Sequence, residues 1–158
     1  ISDLSLNYVN TGGSSHRSLP NPPSNLDGTA QNPYSILWAW DYVDNDTGSD
    51  KFEFWLEEEG AEEPVADNLT DRNYEESELT PNTGYRRVVY SKNEMGRAEP
   101  AATLVDGLYI YTFAEVPSII SHEQLTDNAI SLQIDEQSNP DYTKYALWSL
   151  SEGEIGWL

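Results

Sequence analysis

Aromatic residues at every second position mark two short segments of the chain. In residues 34–41 (YSILWAWD), Ile36, Trp38 and Trp40 fall on one side of an extended backbone. Residues 51–56 (KFEFWL) repeat the pattern with two phenylalanines and a leucine. A period of two is typical of β-strands, and large rings on one side indicate that this side faces a core. Helical periodicity is not evident between residues 20 and 114, so the sequence predicts an all-β chain.

The length and charge of the chain limit both its architecture and its partners. Its 158 residues are enough for one sandwich core of about 100 residues but not for two. Its 8 basic and 28 acidic residues give a formal net charge of −20, which repels nucleic-acid phosphates and anionic lipids. The sequence has no cysteine and no run of about 18 apolar residues. We therefore expect neither nucleic-acid binding nor insertion into a membrane.

A third pattern predicts how two of the strands are connected. In LTPNTGY, Leu79, Pro81 and Tyr85 share one alternation directly before the strand-like sequence RRVVYSKN. This spacing is typical of a tyrosine corner, in which the tyrosine hydroxyl bonds to the backbone a few residues upstream and ties two sheets together. Asn93 and Gly96 then predict a hairpin turn into the last strand.

The C-terminal part of the chain repeats the beginning of its central part. A proline, an apolar residue, a turn and an alternating strand follow in the same order after Pro20 and again after Pro117, 97 positions later. This weak repeat predicts an N-terminal strand or linker at residues 1–19, a complete module at 20–114 and a partial second module at 115–158. Residues 142–150 would form the third strand of that second module, which is expected to hold three strands at most.

These segments resemble fibronectin type III modules, in particular the tandem modules of large exported bacterial surface proteins. The resemblance rests on five motifs in order along the chain: PSNLDGTA, SILWAW, LTPNTGY, YSKNEMGRAEP and TLVDGLYIYTFAEVP. It implies an immunoglobulin-like β-sandwich of the fibronectin type III kind at residues 20–114. It also implies a secreted or cell-surface location and a non-catalytic role as a structural or adhesion scaffold, with neighbouring modules or other copies of the chain as partners.

One residue departs from the pattern of that family. Arg87 occupies a position where many type III modules place an inward valine. A buried guanidinium group must be paired or stacked, because an unpaired buried charge is costly. We hypothesise that it stacks on the ring of Trp38 or Trp40 in a cation–π contact worth on the order of 1 kcal/mol. The alternative is a β-bulge that turns Arg87 outward.

Polar loops offer weak candidates for a metal site and for glycosylation. Asp44, Asp46 and Asp50 lie in one acidic loop, and clustered carboxylates are the ligands that calcium prefers. Their spacing does not match an EF-hand, so a solvated acidic loop is the alternative. Asn45 and Asn68 each begin an N-x-[ST] sequon. Calcium is the only cofactor for which the sequence gives any indication.

The sequence shows no arrangement of residues typical of an enzyme. Glycine-rich phosphate loops, a nucleophile elbow and an H-x-x-x-H pair do not occur. Acidic residues are numerous, but glycoside hydrolysis needs one carboxyl group with a raised pKa opposite a second in a walled cleft. A small sandwich fills its interior with side chains and leaves no such cleft. We therefore expect no catalytic residues.

Carbohydrate or other ligand recognition is the first alternative function. Trp55 lies out of register with Phe52 and Phe54, so it is the tryptophan that we most expect at the surface. There its ring could stack on a surface glycan.

Filament assembly is the second alternative function. Residues 1–11 contain one alternating run, with Leu4, Leu6 and Tyr8 on the same side. Such a strand could fill the open edge of the partial module in another copy by donor-strand complementation, and head-to-tail contacts of this kind propagate. The other explanation for the two incomplete ends is that both belong to a longer tandem array.

Overall fold

The computed structural model describes residues 18–44, 51–56, 61–127, 129–149 and 153–157. Almost all of the regular structure in these residues is β-strand, with one 3₁₀ turn at Val105–Gly107. From the N-terminus the strands are β1 (Ser24–Asn32), β2 (Ser35–Asp41), β3 (Lys51–Leu56), β4 (Ala66–Leu69), β5 (Asn73–Glu76), β6 (Gly84–Tyr85), β7 (Arg87–Asn93), β8 (Gly96–Arg97), β9 (Ala102–Thr103), β10 (Ile110–Tyr111), β11 (Ser118–Thr126), β12 (Ala129–Asp135), β13 (Ala146–Ser149) and β14 (Gly153–Trp157).

The strands before residue 114 form two larger antiparallel sheets and one short two-stranded ladder, β6–β10. One sheet has the order β1-β2-β5, and the other has the order β4-β3-β7-β8, with β9 also paired to β7. The turns follow from local chemistry. The Asn32 side chain accepts a hydrogen bond from the Tyr34 backbone N–H at 2.7 Å in the β1–β2 hairpin, and Asn93 does the same for Met95 at 2.9 Å in the β7–β8 hairpin.

An aromatic core lies between the two sheets. Trp38 from β2 is fully buried, and its ring centroid lies 5.7 Å from that of Phe54 in β3. Trp40 is 4 % exposed and makes an edge contact with Phe52 at 5.4 Å. The alternation in β2 and β3 therefore points the large rings inward, since each strand buries every second side chain.

Gly28 makes room for the largest of these rings. It pairs with Trp38 across the β1–β2 ladder, so both residues face the same side of the sheet. A Cβ atom at residue 28 would lie 2.8 Å from Cζ3 of Trp38 and 2.9 Å from Cγ1 of Ile110. The ring of Trp38 therefore occupies the space that a side chain at residue 28 would need.

The chain enters the sandwich at residues 18–21, called here the entry end, and leaves it at Thr112, called here the exit end. At the entry end the Asn93 side chain donates to the carbonyl of Ser18 at 2.9 Å, and the Ser91 hydroxyl donates to the carbonyl of Asn21. At the exit end the buried Thr112 hydroxyl donates to the carbonyl of Thr80 at 2.7 Å. These bonds hold the entering and the leaving segments of the chain against the sandwich.

The chain after residue 115 forms two hairpins, β11–β12 and β13–β14. Residues of β11 are exposed along its whole length, and Ile119 and Ile120 are among them. The predicted third strand is found as β13, but β14 is a fourth strand, so the expected limit of three was wrong. The sequence GEIGW is too short to be predicted as a strand from its pattern alone. Only the ladder that pairs Ala146 with Trp157 identifies it as one. The division of the chain at 19/20 and 114/115 stays a prediction.

Candidate functional sites

A buried ion pair joins the two sheets of the sandwich. Arg87 at the start of β7 and Glu76 at the end of β5 are each 6 % exposed. Nη2 of Arg87 lies 2.5 Å from Oε1 of Glu76, and Nε lies 3.0–3.1 Å from both carboxylate oxygens. The indole N–H of Trp38 donates to Oε2 of the same carboxylate at 3.0 Å. The carboxylate of Glu76 therefore accepts hydrogen bonds from donors in both sheets.

The stacking partner predicted for Arg87 was wrong. Its guanidinium lies over the ring of Tyr85, 5.1 Å from the ring centroid, rather than over Trp38 or Trp40. The outward turn proposed as the alternative is also wrong, since the residue is buried. The reason is Glu76, whose carboxylate lies between the guanidinium and the Trp38 indole N–H and binds both.

Tyr85, the last residue of β6, pins the preceding loop. The Tyr85 hydroxyl oxygen accepts a hydrogen bond from the backbone N–H of Thr80 at 2.8 Å. Leu79 is buried and its backbone N–H donates to the carbonyl of Tyr34 at 3.0 Å, while Pro81 is fully buried. This is the geometry that a tyrosine corner requires, and it fixes the loop at the exit end.

Trp55 lies at the surface but is only partly exposed. Its side chain is half-buried, and the guanidinium of Arg97 lies 5.6 Å from its ring centroid. Its indole N–H donates to Glu53 at 3.1 Å. Trp55 thus belongs to a surface cluster of charged side chains, and one face of its ring is already covered.

The candidates for metal binding and glycosylation fall mostly outside the described residues. This applies to Asn45, Asp46 and Asp50, as it does to residues 1–11 with their predicted donor strand. Asp44 is described and exposed, and the described ranges contain no group of three or more acidic or histidine side chains that could hold a metal ion. Asn68 is exposed, and its side chain donates to Asp67 at 3.0 Å.

A polar junction joins the exit end to the chain that follows. The backbone N–H of Glu115 donates to the side chain of the buried Asn139 at 2.7 Å, and that side chain donates back to the carbonyl of Glu115 at 2.9 Å. The Glu115 carboxylate accepts from the backbone N–H of Ser138 at 2.7 Å. Hydrogen bonding from the Tyr34 hydroxyl, followed by that from Ser138, lowers the pKa of Glu115.

A second set of contacts flanks this junction. The Tyr142 hydroxyl donates to the carbonyl of Asn82 at 3.1 Å, and the Asn82 side chain donates to the Thr143 hydroxyl at 3.0 Å. The loop of residues 136–143 is therefore bonded to the linker at Glu115 and to the tyrosine-corner loop. Sequence patterns do not predict this junction, because its partners are up to 61 positions apart.

Three aromatic side chains stand on the surface beside this end. Tyr109, Tyr111 and Phe113 are 52 %, 59 % and 55 % exposed, whereas Thr112 between them is buried. We call these three residues the aromatic strip. Their alternation is visible in the sequence LYIYTF, but only the pairing of β10 with β6 shows which side faces the core.

Comparison with known proteins finds structural likenesses of low sequence identity but no relative in sequence. No family model matches the chain, and the search of curated proteins finds no significant match. A fibronectin type III domain of human collagen alpha-1(XX) is 22% identical over 66% of this chain and 95% of its own length, with a TM-score of 0.48. The crystal structure of FN3tt is 19% identical over 56% of this chain and 95% of its own, with a TM-score of 0.46. The FN1–FN3 domains of chicken CNTN1 are 21% identical over 60% of this chain and 33% of their own length, with a TM-score of 0.45.

The class of protein follows from the strand order given above. Two antiparallel sheets, β1-β2-β5 and β4-β3-β7-β8, face each other around an aromatic core and are joined at a tyrosine corner. The fold is a fibronectin type III-like β-sandwich, and the predicted fold class is confirmed.

Proposed function

We propose that this chain is a non-catalytic structural or adhesion scaffold of a secreted or cell-surface protein, in which it holds neighbouring modules at a fixed angle. The observation that supports the proposal most directly is the polar junction between the exit end of the sandwich and the loop of residues 136–143. Two sets of hydrogen bonds on either side of the linker restrict rotation about it. A spacer needs this property, whereas freely jointed modules do not have it.

The buried charges support a structural role over a catalytic one. Glu76 and Arg87 are inside the sandwich. The carboxylate of Glu76 accepts hydrogen bonds from Arg87 and from the indole N–H of Trp38. A substrate would have to displace core side chains to reach them. The described part of the chain also contains no helix long and apolar enough to cross a membrane.

A fixed junction predicts that the two parts of the chain tumble together. Residual dipolar couplings measured by NMR for residues 20–114 and 115–149 of the wild-type chain should fit one alignment tensor. The variant carrying Asn139→Ala and Tyr142→Phe should need two, because it loses both bonds between Asn139 and Glu115 and the bond from Tyr142 to Asn82. Asp141→Asn, an exposed change in the same loop, should behave as wild type. Two independent tensors in the wild-type chain would refute the proposal.

Acidification is expected to loosen the same junction. The pKa of Glu115 is lowered chiefly by hydrogen bonding from Tyr34, so its charged form favours the docked arrangement. This contribution is complete above the value of about 4.3 for a free glutamate and is lost as the pH falls through the lowered pKa. A carboxyl-carbon NMR titration in dilute solution should give Glu115 a midpoint below that value, and the Ser138 amide shift should follow it. A midpoint at or above the free value would contradict the prediction, and Glu115→Gln should abolish the response.

A further inference from the structure

The aromatic strip consists of Tyr111 in β10 and of Tyr109 and Phe113, which flank that strand on either side. The side chains of Ile110 and Thr112 turn inward, where Ile110 packs against the core and Thr112 is bonded to the tyrosine-corner loop. Tyr109, Tyr111 and Phe113, at the alternate positions, are exposed instead, as expected where successive side chains of an extended segment point to opposite sides. More than half of each of these side chains is exposed.

Neighbouring groups hold two of the rings in place. The ring of Tyr111 lies across Gly84 of the paired strand, where an added Cβ atom would approach its Cζ to 2.9 Å. The centroids of the Tyr109 and Tyr111 rings are 6.4 Å apart, and the two planes are inclined by 52°. The guanidinium of Arg86 lies 5.3 Å from the centroid of the Tyr109 ring. The rings of Tyr109 and Tyr111 are thus held in a defined arrangement, and Phe113 adds a third exposed ring two residues further along the chain.

We propose that the aromatic strip binds successive sugar rings of a neutral polysaccharide chain. The apolar C–H faces of pyranose rings stack on aromatic faces, and a ring spacing of 6.4 Å is comparable to the length of one sugar unit. The phenol hydroxyls of Tyr109 and Tyr111 are hydrogen-bonding partners for sugar hydroxyls at the edges of the strip. This role is independent of the scaffold function proposed above.

Charge and shape favour this ligand over the others that aromatic surfaces bind. Nucleic-acid bases also stack on exposed rings, but such sites normally lie in basic grooves, whereas this chain carries a formal net charge of −20. The same charge disfavours acidic polysaccharides and a second copy of the chain. Proline-rich peptides dock in grooves between aromatic rings, whereas the strip stands on a single extended segment.

The inclination of the rings indicates the shape of the ligand. Because the planes of Tyr109 and Tyr111 differ by 52°, both cannot lie flat on one plane of sugar rings. A chain that turns between successive residues can stack on each ring in turn. We therefore expect soluble, twisted polysaccharide chains to bind better than the flat surface of crystalline cellulose.

Affinity electrophoresis of the whole chain tests the proposal. The probes are soluble mixed-linkage β-glucan, xylan and galactomannan, with microcrystalline cellulose in a pull-down assay as the flat surface. At least one soluble probe should retard the wild-type chain. Tyr109→Ala and Phe113→Ala should each weaken binding about tenfold, which corresponds to about 1.4 kcal/mol. Trp148→Ala is the matched control, because this ring is 66 % exposed but lies outside the strip.

Three results would overturn the proposal. The first is that none of the neutral polysaccharides retards the wild-type chain. The second is that Trp148→Ala weakens binding as much as the strip variants do. The third is that alginate, single-stranded poly(dT) or a proline-rich peptide binds in their place. Thermal melting of each variant shows whether it is folded, and Phe113→Tyr, which keeps the ring, should retain binding.

Discussion

Replacing Glu76 with alanine is expected to lower the free energy of unfolding by about 3–5 kcal/mol. The change leaves the buried guanidinium of Arg87 without its counter-charge and the indole N–H of Trp38 without its acceptor. An uncompensated buried charge costs far more than a lost surface pair, whose worth is about 0–1 kcal/mol. Equilibrium urea unfolding followed by tryptophan fluorescence measures the effect.

Two further variants separate this explanation from a general loss of strand stability. Glu75→Ala removes the neighbouring, exposed carboxylate of the same strand and should change stability by no more than about 0.5 kcal/mol. Glu76→Leu combined with Arg87→Met replaces the pair with apolar side chains and should recover most of the loss. If Glu76→Ala and Glu75→Ala prove equally mild, the ion pair does not contribute as described.

Replacing Gly28 with alanine is expected to destabilise the sandwich by about 1–3 kcal/mol. The new methyl group would lie 2.8 Å from the Trp38 ring and 2.9 Å from Ile110, and both neighbours are held by the core. The strand must shift or the ring must leave its position, so the near-ultraviolet circular dichroism of the tryptophans should change along with the urea midpoint.

Gly156→Ala provides the control for this prediction. A Cβ atom at residue 156 meets nothing within 4 Å, so this change should be close to neutral or slightly stabilising, as is usual for glycine replaced in an open strand position. A Gly28→Ala variant as stable as the wild type would show that the Trp38 ring has room to move. The packing described between β1 and β2 would then be wrong.

Local sequence patterns predicted the architecture well. The period of two in β2 and β3 predicts which side of each strand carries the rings, and the structure buries Trp38 and Trp40 on that side. The spacing from Leu79 to Tyr85 predicts a connection whose hydrogen bond spans only five residues. Such features depend on neighbours in sequence, and a single chain contains all the information they need.

The contacts between sheets could not be predicted in the same way. Glu76 stands beside Glu75 in a polar strand, and nothing in that sequence distinguishes the buried carboxylate from the exposed one. The sequence alone made the tryptophans the expected partners of Arg87. The register of β5 against β2 brings the carboxylate of Glu76 beside Trp38, and only the structure shows this register. The aromatic strip raises the same difficulty, since alternation shows that Tyr109 and Tyr111 share a side but not whether that side is the core.

The hydrogen bonds at the entry end and the exit end of the sandwich have a mechanical consequence. At the entry end Asn93 and Ser91 bind the incoming chain, and at the exit end Thr83 binds Thr112 of the outgoing chain through its backbone. A force applied to the chain on both sides of the sandwich would therefore pass along residues 83–93, while the aromatic core lies to one side of this line. The hydrogen bonds at the two ends would set the tension at which the module begins to open, and the core would resist only after they had broken.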